Sequence, residues 1–289
     1  MIDLHCHTKH SDGTWEVTEL LSIAEEKEIE ILSITDHDTV AAHFEAEKIK
    51  IKDIYKGKLI TGVEINCVFA NTKIELLGYN FDKEKVQWWL DELYGKDRYR
   101  TSMLNEFEDM CEICKKNDVV ISENIKYNPD KEYPIDIIYY EVIKYPENKD
   151  KIDEDAWENR SIFFRKCTTD KNFILYRDFT KSLPSAEEVS KIIRENGGKV
   201  FLAHLFIYKM ENHMEFLKNI YDAGIIDGVE CYYSKFDSEQ TKLIENFCKD
   251  NNLYMSGGSD CHGERKKDID LGTGCGALHV NKTEIEKWI

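Results

Sequence analysis

The chain has 289 residues, a length that gives one large domain or one domain carrying a sizeable insertion. Hydrophobic residues make up 42% and charged residues 33%, with only 4 prolines and 15 glycines, which excludes collagenous, low-complexity and wholly disordered chains. The net charge of −17 disfavours binding of long nucleic acid along its phosphate backbone.

In chain order, residues 2–7 read as a first strand. No basic segment followed by an apolar run precedes it, and no stretch approaches the roughly 18 apolar residues that span a bilayer, so the expectation is a cytoplasmic protein with no membrane partner. Residues 16–27 are amphipathic, with Val17, Leu20, Leu21 and Ala24 at helical spacing after Asp12-Gly13-Thr14, which reads as a cap. A strand at 29–35, a helix at 40–51 and strands at 58–67 and 73–81 follow, the last two separated by Ala70-Asn71-Thr72. Strands alternating with helices imply parallel pairing and an α/β layered or barrel architecture.

From about residue 95 to 181 this rhythm is lost, and the segment reads as an inserted, mainly helical subdomain between flanks 1–94 and 182–289. Cys111 and Cys114 form a C-x-x-C inside it, but no second pair follows at zinc-ribbon spacing, so they are expected to be two thiols on one helical face. The nine cysteines as a whole are odd in number and scattered, as free thiols in a reducing compartment would be. The rhythm resumes with a helix at 185–196, opened by the capping signal Ser185-Ala186-Glu187-Glu188, and a strand at 198–204. Strands at 228–232 and 253–256 enclose a helix at 238–251.

His5 and His7 are two apart on a strand, so alternation turns both imidazoles to one face. Asp12 follows in a turn, and Asp36-His37-Asp38 ends the second strand. Glu64 lies on the third, His204 ends another, and Asp260 and His262 follow the last. In a parallel barrel the carboxyl ends of the strands converge on one rim, which brings these residues into one cleft. Five histidines fall on that rim, while His10, His43, His213 and His279 do not and are read as structural. Imidazole with carboxylate suits zinc, manganese or iron, and more than four ligands implies more than one ion. Asp36 and Asp38 either orient His37 or cap the strand end.

These motifs resemble a known family. His5-Cys6-His7-Thr8 with Ser11-Asp12-Gly13-Thr14, Ile34-Thr35-Asp36-His37-Asp38-Thr39, Gly62-Val63-Glu64-Ile65, Leu202-Ala203-His204 and Gly258-Ser259-Asp260-Cys261-His262-Gly263 are similar to the successive motifs of the PHP (polymerase and histidinol phosphatase) family. The likeness is to its stand-alone metal-dependent phosphoesterases, which act on nucleoside 3′,5′-bisphosphates or the 5′ ends of short oligonucleotides. It implies a distorted (β/α)7 TIM-like barrel. It also implies about two to three divalent ions (manganese, zinc or iron) that activate a hydroxide to hydrolyse a phosphate monoester. Carried over, it assigns His5, His7, Glu64 and Asp260 to one ion, Glu64 and His204 to a second, and Asp12, His37 and His262 to a third. Asp12, His37, Glu64 and His262 are the catalytic residues on this reading. The chain departs from the family where Glu75 stands in place of a histidine ligand, and where the insertion lacks a Gly-Arg-Pro-His segment.

Phosphate recognition calls for a further cation, and the candidates are Arg98, Arg160, Arg165 and Arg177 of the insertion, with Arg98 preferred because it opens that segment. Tyr232, with Tyr233 beside it, is placed to stack a base. Histidinol phosphate is an alternative substrate, ranked lower because the first two motifs look like the nucleotide branch. A catalytically silent metal-binding module is the alternative of another class, supported by Glu75.

Overall fold

Seven strands hydrogen-bond in sequence order: β1 (Ile2–Cys6), β2 (Ile31–Ile34), β3 (Lys58–Phe69), β4 (Thr72–Tyr79), β5 (Lys199–Leu202), β6 (Gly228–Tyr233) and β7 (Tyr254–Gly258). The structure is a computed structural model; it describes the backbone of residues 1–289 and all side chains except those of 96–99, 179 and 181. Every residue of β1, β2 and β6 is buried, as strands with one face to a barrel interior and the other to helices must be. The sheet closes on itself where β7 meets β1: the His7 amide donates to Cys261 O at 2.9 Å and the Asp260 amide to His5 O at 2.7 Å.

The helices, in chain order, are α1 (Val17–Glu26), α2 (Ala41–Lys48), α3 (Ile51–Ile54), α4 (Lys83–Tyr94), α5 (Lys96–Lys116), α6 (Pro134–Val142), α7 (Glu154–Glu158), α8 (Arg160–Ile162), α9 (Ala186–Glu195), α10 (His213–Asp222), α11 (Ser238–Asp250) and α12 (Lys282–Ile285). None of the described helices is long and apolar enough to cross a membrane. Val17, Leu20, Leu21 and Ala24 form the buried face of α1, packed with Leu32, Ile34 and Ala42. The cap of α1 is Glu16, whose amide donates to Glu19 at 2.8 Å, which leaves Asp12 free of that task. At α9 the Ser185 hydroxyl accepts from the Glu188 amide at 3.2 Å, and the Glu188 carboxylate accepts from the Ser185 amide at 2.8 Å, a reciprocal capping box.

Uniformly parallel pairing does not hold. β4 runs antiparallel to both β3 and β5, and the other neighbouring pairs are parallel. The cause is the connection Ala70-Asn71, both residues at positive φ (48° and 58°), a two-residue hairpin turn too short for a parallel crossover. The barrel is therefore of (β/α)7 type, distorted at its fourth strand.

Two compact units make up the chain: Met1–Leu90 with Leu183–Ile289, and Asp91–Ser182. The second is mainly helical, with its own core of Met110, Cys114, Ile138, Val142, Phe163 and Leu175. Cys111 and Cys114 lie on α5 as free thiols.

A fully buried carboxylate fastens the seam of the barrel. Asp3 accepts from the amides of Ser259 (2.9 Å), His5 (3.2 Å) and Gly272 (2.7 Å). Burial raises its pKa, and these bonds oppose the rise. Gly258 permits the approach, since a Cβ there would stand 2.3 Å from the His5 nitrogen. Asp3→Ala strands three buried amides and should lower unfolding free energy by about 3 kcal/mol, with Asp3→Asn losing less; urea unfolding measures both, and a loss below about 1 kcal/mol for alanine contradicts this account of the seam.

Candidate metal centre

The strands deliver the expected ligands to one end of the barrel. His5 and His7 lie at and just past the end of β1, with both side chains fully buried. His37, beyond β2, forms a parallel bridge with Glu64 of β3. Because β4 is antiparallel, Glu75 sits near its start, opposite Asn66, and still reaches this end. His204 follows β5, and Asp260 and His262 follow β7.

Glu64, 1% exposed, is the hub. Its Oε2 lies 3.1 Å from His5 Nε2, 3.2 Å from His7 Nε2 and 3.3 Å from His37 Nδ1, and its Oε1 lies 2.9 Å from His204 Nε2. Glu75 Oε2 is 3.3 Å from the same His204 nitrogen. Asp12 Oδ1 is 3.0 Å from His262 Nε2 and 3.7 Å from His7 Nδ1. Asp260 Oδ1 is 3.3 Å from His7 Nε2 and 3.4 Å from His262 Nδ1. All nine residues expected as ligands thus meet here, in overlapping groups: His7, Asp12, His37 and His262; His5, His7 and Asp260; His5, Glu64 and His204; His37, Glu64 and Glu75.

Several of these atoms are buried without a hydrogen bond: both ring nitrogens of His7, His37 Nδ1, His204 Nδ1 and Asp12 Oδ1. Buried polar atoms normally have partners, and convergent imidazole nitrogens and carboxylate oxygens are the donors that divalent ions take. The residues fit divalent metal ions. Two of them sit in left-handed backbone, His204 at φ 22° and Asp260 at φ 59°, a conformation costing on the order of 1–3 kcal/mol each.

Four neighbours outside the expected ligand set shape it, and Glu230, Arg265 and Lys266 among them were missed from sequence. Glu230 of β6 has one oxygen 2.8 Å from His5 Nδ1 while the other accepts from the His204 amide at 2.8 Å; with Nδ1–H donating to it, a neutral His5 presents its Nε2 lone pair to the centre. Tyr233 donates to Asp260 Oδ2 at 2.8 Å, Lys266 donates to the same oxygen at 2.7 Å, and Arg265 donates to Asp12 Oδ2 at 3.0 Å. The available signal for Glu230 was an acidic residue inside the otherwise apolar Gly228-Val229-Glu230-Cys231-Tyr232-Tyr233. Asp36 accepts from the Thr8 amide (2.7 Å) and from the hydroxyls of Thr8 and Ser11 (both 2.6 Å), pinning the loop between His7 and Asp12. Asp38 accepts from the Asn66 amide and side chain.

The expected substrate residues fare differently. Tyr232 turns away from the centre and donates to Glu245 on α11 at 2.8 Å. The irregularity between Glu230 and Tyr232 in the β6–β7 register inserts one extra residue, so the face occupied by Glu230 passes to Tyr233. The side chain of Arg98 lies outside the described residues. Arg177 pairs with Glu106 and Asp109, Arg160 with Asp136, and Arg165 donates to Ser161 O, all inside the second unit. His10 pairs with Glu45, His213 bonds Tyr208 O, and the buried His43 contacts the backbone of Ile34 and Gly62.

Burial disfavours charge on His5, His7, His204, Glu64, Asp12 and Asp260, but their mutual attraction overrides it. Burial lowers the His7 pKa, yet Asp260 and Glu64 hold it up at about 9. His5 and His204 are raised in the same way against burial, the first by Glu64 and Glu230 and the second chiefly by Glu64. Glu64, Asp12 and Asp260 are lowered by the histidines around them despite burial. In His37 burial wins and lowers the pKa.

The raised imidazoles stabilise the metal-free fold at pH values below their unfolded pKa of about 6.5, and that contribution is lost as pH climbs through 9. The lowered carboxylates stabilise above about pH 4 and lose their effect in acid. Metal uptake requires unprotonated imidazoles and removes the alkaline loss. Chelator-treated protein should therefore show a falling Tm between about pH 6.5 and 9.5, while metal-loaded protein stays level over that range. A metal-free Tm that holds or rises there contradicts the electrostatic account.

Known proteins resemble this chain in sequence and in fold. The chain is 44% identical over 81 residues to a 5′-3′ exoribonuclease of Haemophilus influenzae, covering 28% of this chain and 29% of that protein. It is 41% identical over 80 residues to the 5′-3′ exoribonuclease Rnm of Escherichia coli, covering 28% and 27%. The matched stretch thus spans less than a third of these curated relatives. Among solved structures, a protein assigned as a metal-dependent phosphoesterase from Bifidobacterium adolescentis superposes with a TM-score of 0.64 at 23% identity, over 99% of this chain and 94% of that one. An amidohydrolase from Chromobacterium violaceum, with bound sulfate and no metal, gives a TM-score of 0.64 at 20% identity, over 97% and 91%. These two share the fold. The PHP domain family matches residues 3–160, more than half of the chain, and with the ligand set assembled on a distorted seven-stranded barrel this chain belongs to the PHP family.

Proposed function

We propose that this protein is a metal-dependent phosphoesterase acting on nucleotides, either nucleoside 3′,5′-bisphosphates or the 5′ ends of short oligonucleotides, with about two to three divalent ions in its centre. The observation that carries this reading is Glu64, a buried carboxylate within 3.3 Å of four imidazoles and shared between overlapping ligand groups. Bound ions would act as Lewis acids toward a phosphoryl group and make water acidic enough to attack it near neutral pH.

The chain's own residues set the approach. His5, His7 and Glu64 have side chains no more than 1% exposed, whereas His37 and Asp12 are 26% and 35% exposed. An ester therefore enters from the side of Asp12 and His37. Glu230 and Tyr233 fix the rings and carboxylates behind them, so the ligands need little reorganisation during reaction. The names of the two curated relatives favour an oligonucleotide 5′ end among the nucleotide substrates.

The test is product release from adenosine 3′,5′-bisphosphate, a 5′-phosphorylated dinucleotide and histidinol phosphate with added manganese. One nucleotide substrate should be consumed, with activity abolished by chelator and restored by metal. Glu64→Gln should lower kcat on the order of a thousandfold while the fold is kept. Turnover indifferent to chelator, or intact in Glu64→Gln, overturns the assignment; histidinol phosphate outrunning both nucleotides overturns the substrate class.

A further inference from the structure

Asp12 and Asp260 are built alike. Each turns Oδ1 inward, at 3.0 Å from His262 Nε2 and 3.3 Å from His7 Nε2 respectively, and each gives its outer oxygen to a cation, Arg265 at 3.0 Å and Lys266 at 2.7 Å. The two cations are consecutive in sequence and follow His262 by three and four residues. Their placement is fixed by the loop that carries them. Gly263 adopts φ +63°, and a Cβ there would stand 2.3 Å from Thr14 Oγ1. That hydroxyl accepts from the Glu264 amide at 2.9 Å, and the Thr14 amide donates to His262 O at 3.1 Å. The loop after β7 is thereby tied to the loop bearing Asp12, with Arg265 beside the partly exposed Asp12 and Lys266 beside Asp260.

Arg265 is 57% and Lys266 32% exposed, and a solute that reaches Asp12 reaches the guanidinium bonded to it. Each has donors to spare, since a guanidinium carries five N–H groups and an ammonium three. The setting makes them needed. The chain has a net charge of −17, and Asp12, Glu64, Glu75, Glu230 and Asp260 crowd the site. Two divalent ions would offset only four of those five carboxylates. Further positive charge at its edge makes the mouth more attractive to a dianion.

We propose that Arg265 and Lys266 recognise the substrate's phosphate dianion at the mouth of the centre, each holding the outer oxygen of a ligand carboxylate while its remaining N–H groups bind phosphate oxygens. The proposal rests on the phosphoesterase reading and assigns its phosphate contact to the barrel's own last loop. A fork of guanidinium donors matches two phosphate oxygens at once, and the ammonium beside it adds a point charge. The third cation of the run, Lys267, pairs with the exposed Glu264 at 3.6 Å and serves as a control.

Calorimetric titration of inorganic phosphate into the manganese-loaded full chain, with metal content measured on the same samples, tests this. Arg265→Gln and Lys266→Met should each weaken phosphate binding about tenfold at unchanged metal content, while Lys267→Met stays within about twofold. Phosphate affinity within twofold of the parent in both cation variants overturns the proposal. Loss of bound metal in them also overturns it, because the two side chains would then be braces for the carboxylates. A parent that holds metal and binds phosphate through these cations, yet consumes no ester, refutes the phosphoesterase reading alone; ester turnover with phosphate affinity indifferent to both substitutions refutes this assignment alone.

Discussion

A carboxylate enclosed by four imidazoles is the constraint around which the barrel is organised. Glu64 has almost no access to water, and an ionised carboxyl so placed is strongly unfavourable without compensating charge. In the metal-free protein the compensation comes from protonated histidines, with His7 held up at about 9. Divalent ions held by these residues would replace those protons and leave the imidazoles neutral, so one set of side chains would serve both as a stable buried network and as a ligand set. The orphaned nitrogens of His7, His37 and His204 mark where protons alone leave the network incomplete.

Barrel closure holds the network in register. The hydrogen bonds that join β1 to β7 run directly through His5, His7, Asp260 and Cys261, so the seam and the ligand set share a backbone. Asp3 fastens that seam from below, and Gly258 lets the two strands approach. The left-handed conformations of His204 and Asp260 are sustained by the same contacts: Glu230 holds the His204 amide, and Tyr233 with Lys266 holds the Asp260 carboxylate. Glu230 thereby spans the centre from the His5 ring to the backbone of the β5 end.

Much of this was legible in the sequence, because period-two alternation and strand-end position are local properties. His5 and His7 announce themselves by spacing, and His37, His204 and His262 by following apolar runs. What escaped depends on long-range geometry. The hairpin at Ala70-Asn71 was visible as a break, but the reversal of β4 follows only from both residues adopting positive φ. Tyr232, with Tyr233 beside it, was expected to stack a base, whereas the one-residue bulge after Glu230 turns Tyr233 to the centre, where it donates to Asp260. Glu230, Arg265 and Lys266 received no role from the sequence; the partners of Glu230 on His5 and of Arg265 on Asp12 lie more than 200 residues away.

The most direct test of the account is the metal content of the full chain purified without chelator, measured by elemental mass spectrometry beside the Glu64→Ala variant. The account predicts about two to three ions per chain in the parent and at least one fewer in the variant. Fewer than about one ion per chain in the parent, or equal content in the two proteins, would contradict a centre organised on Glu64.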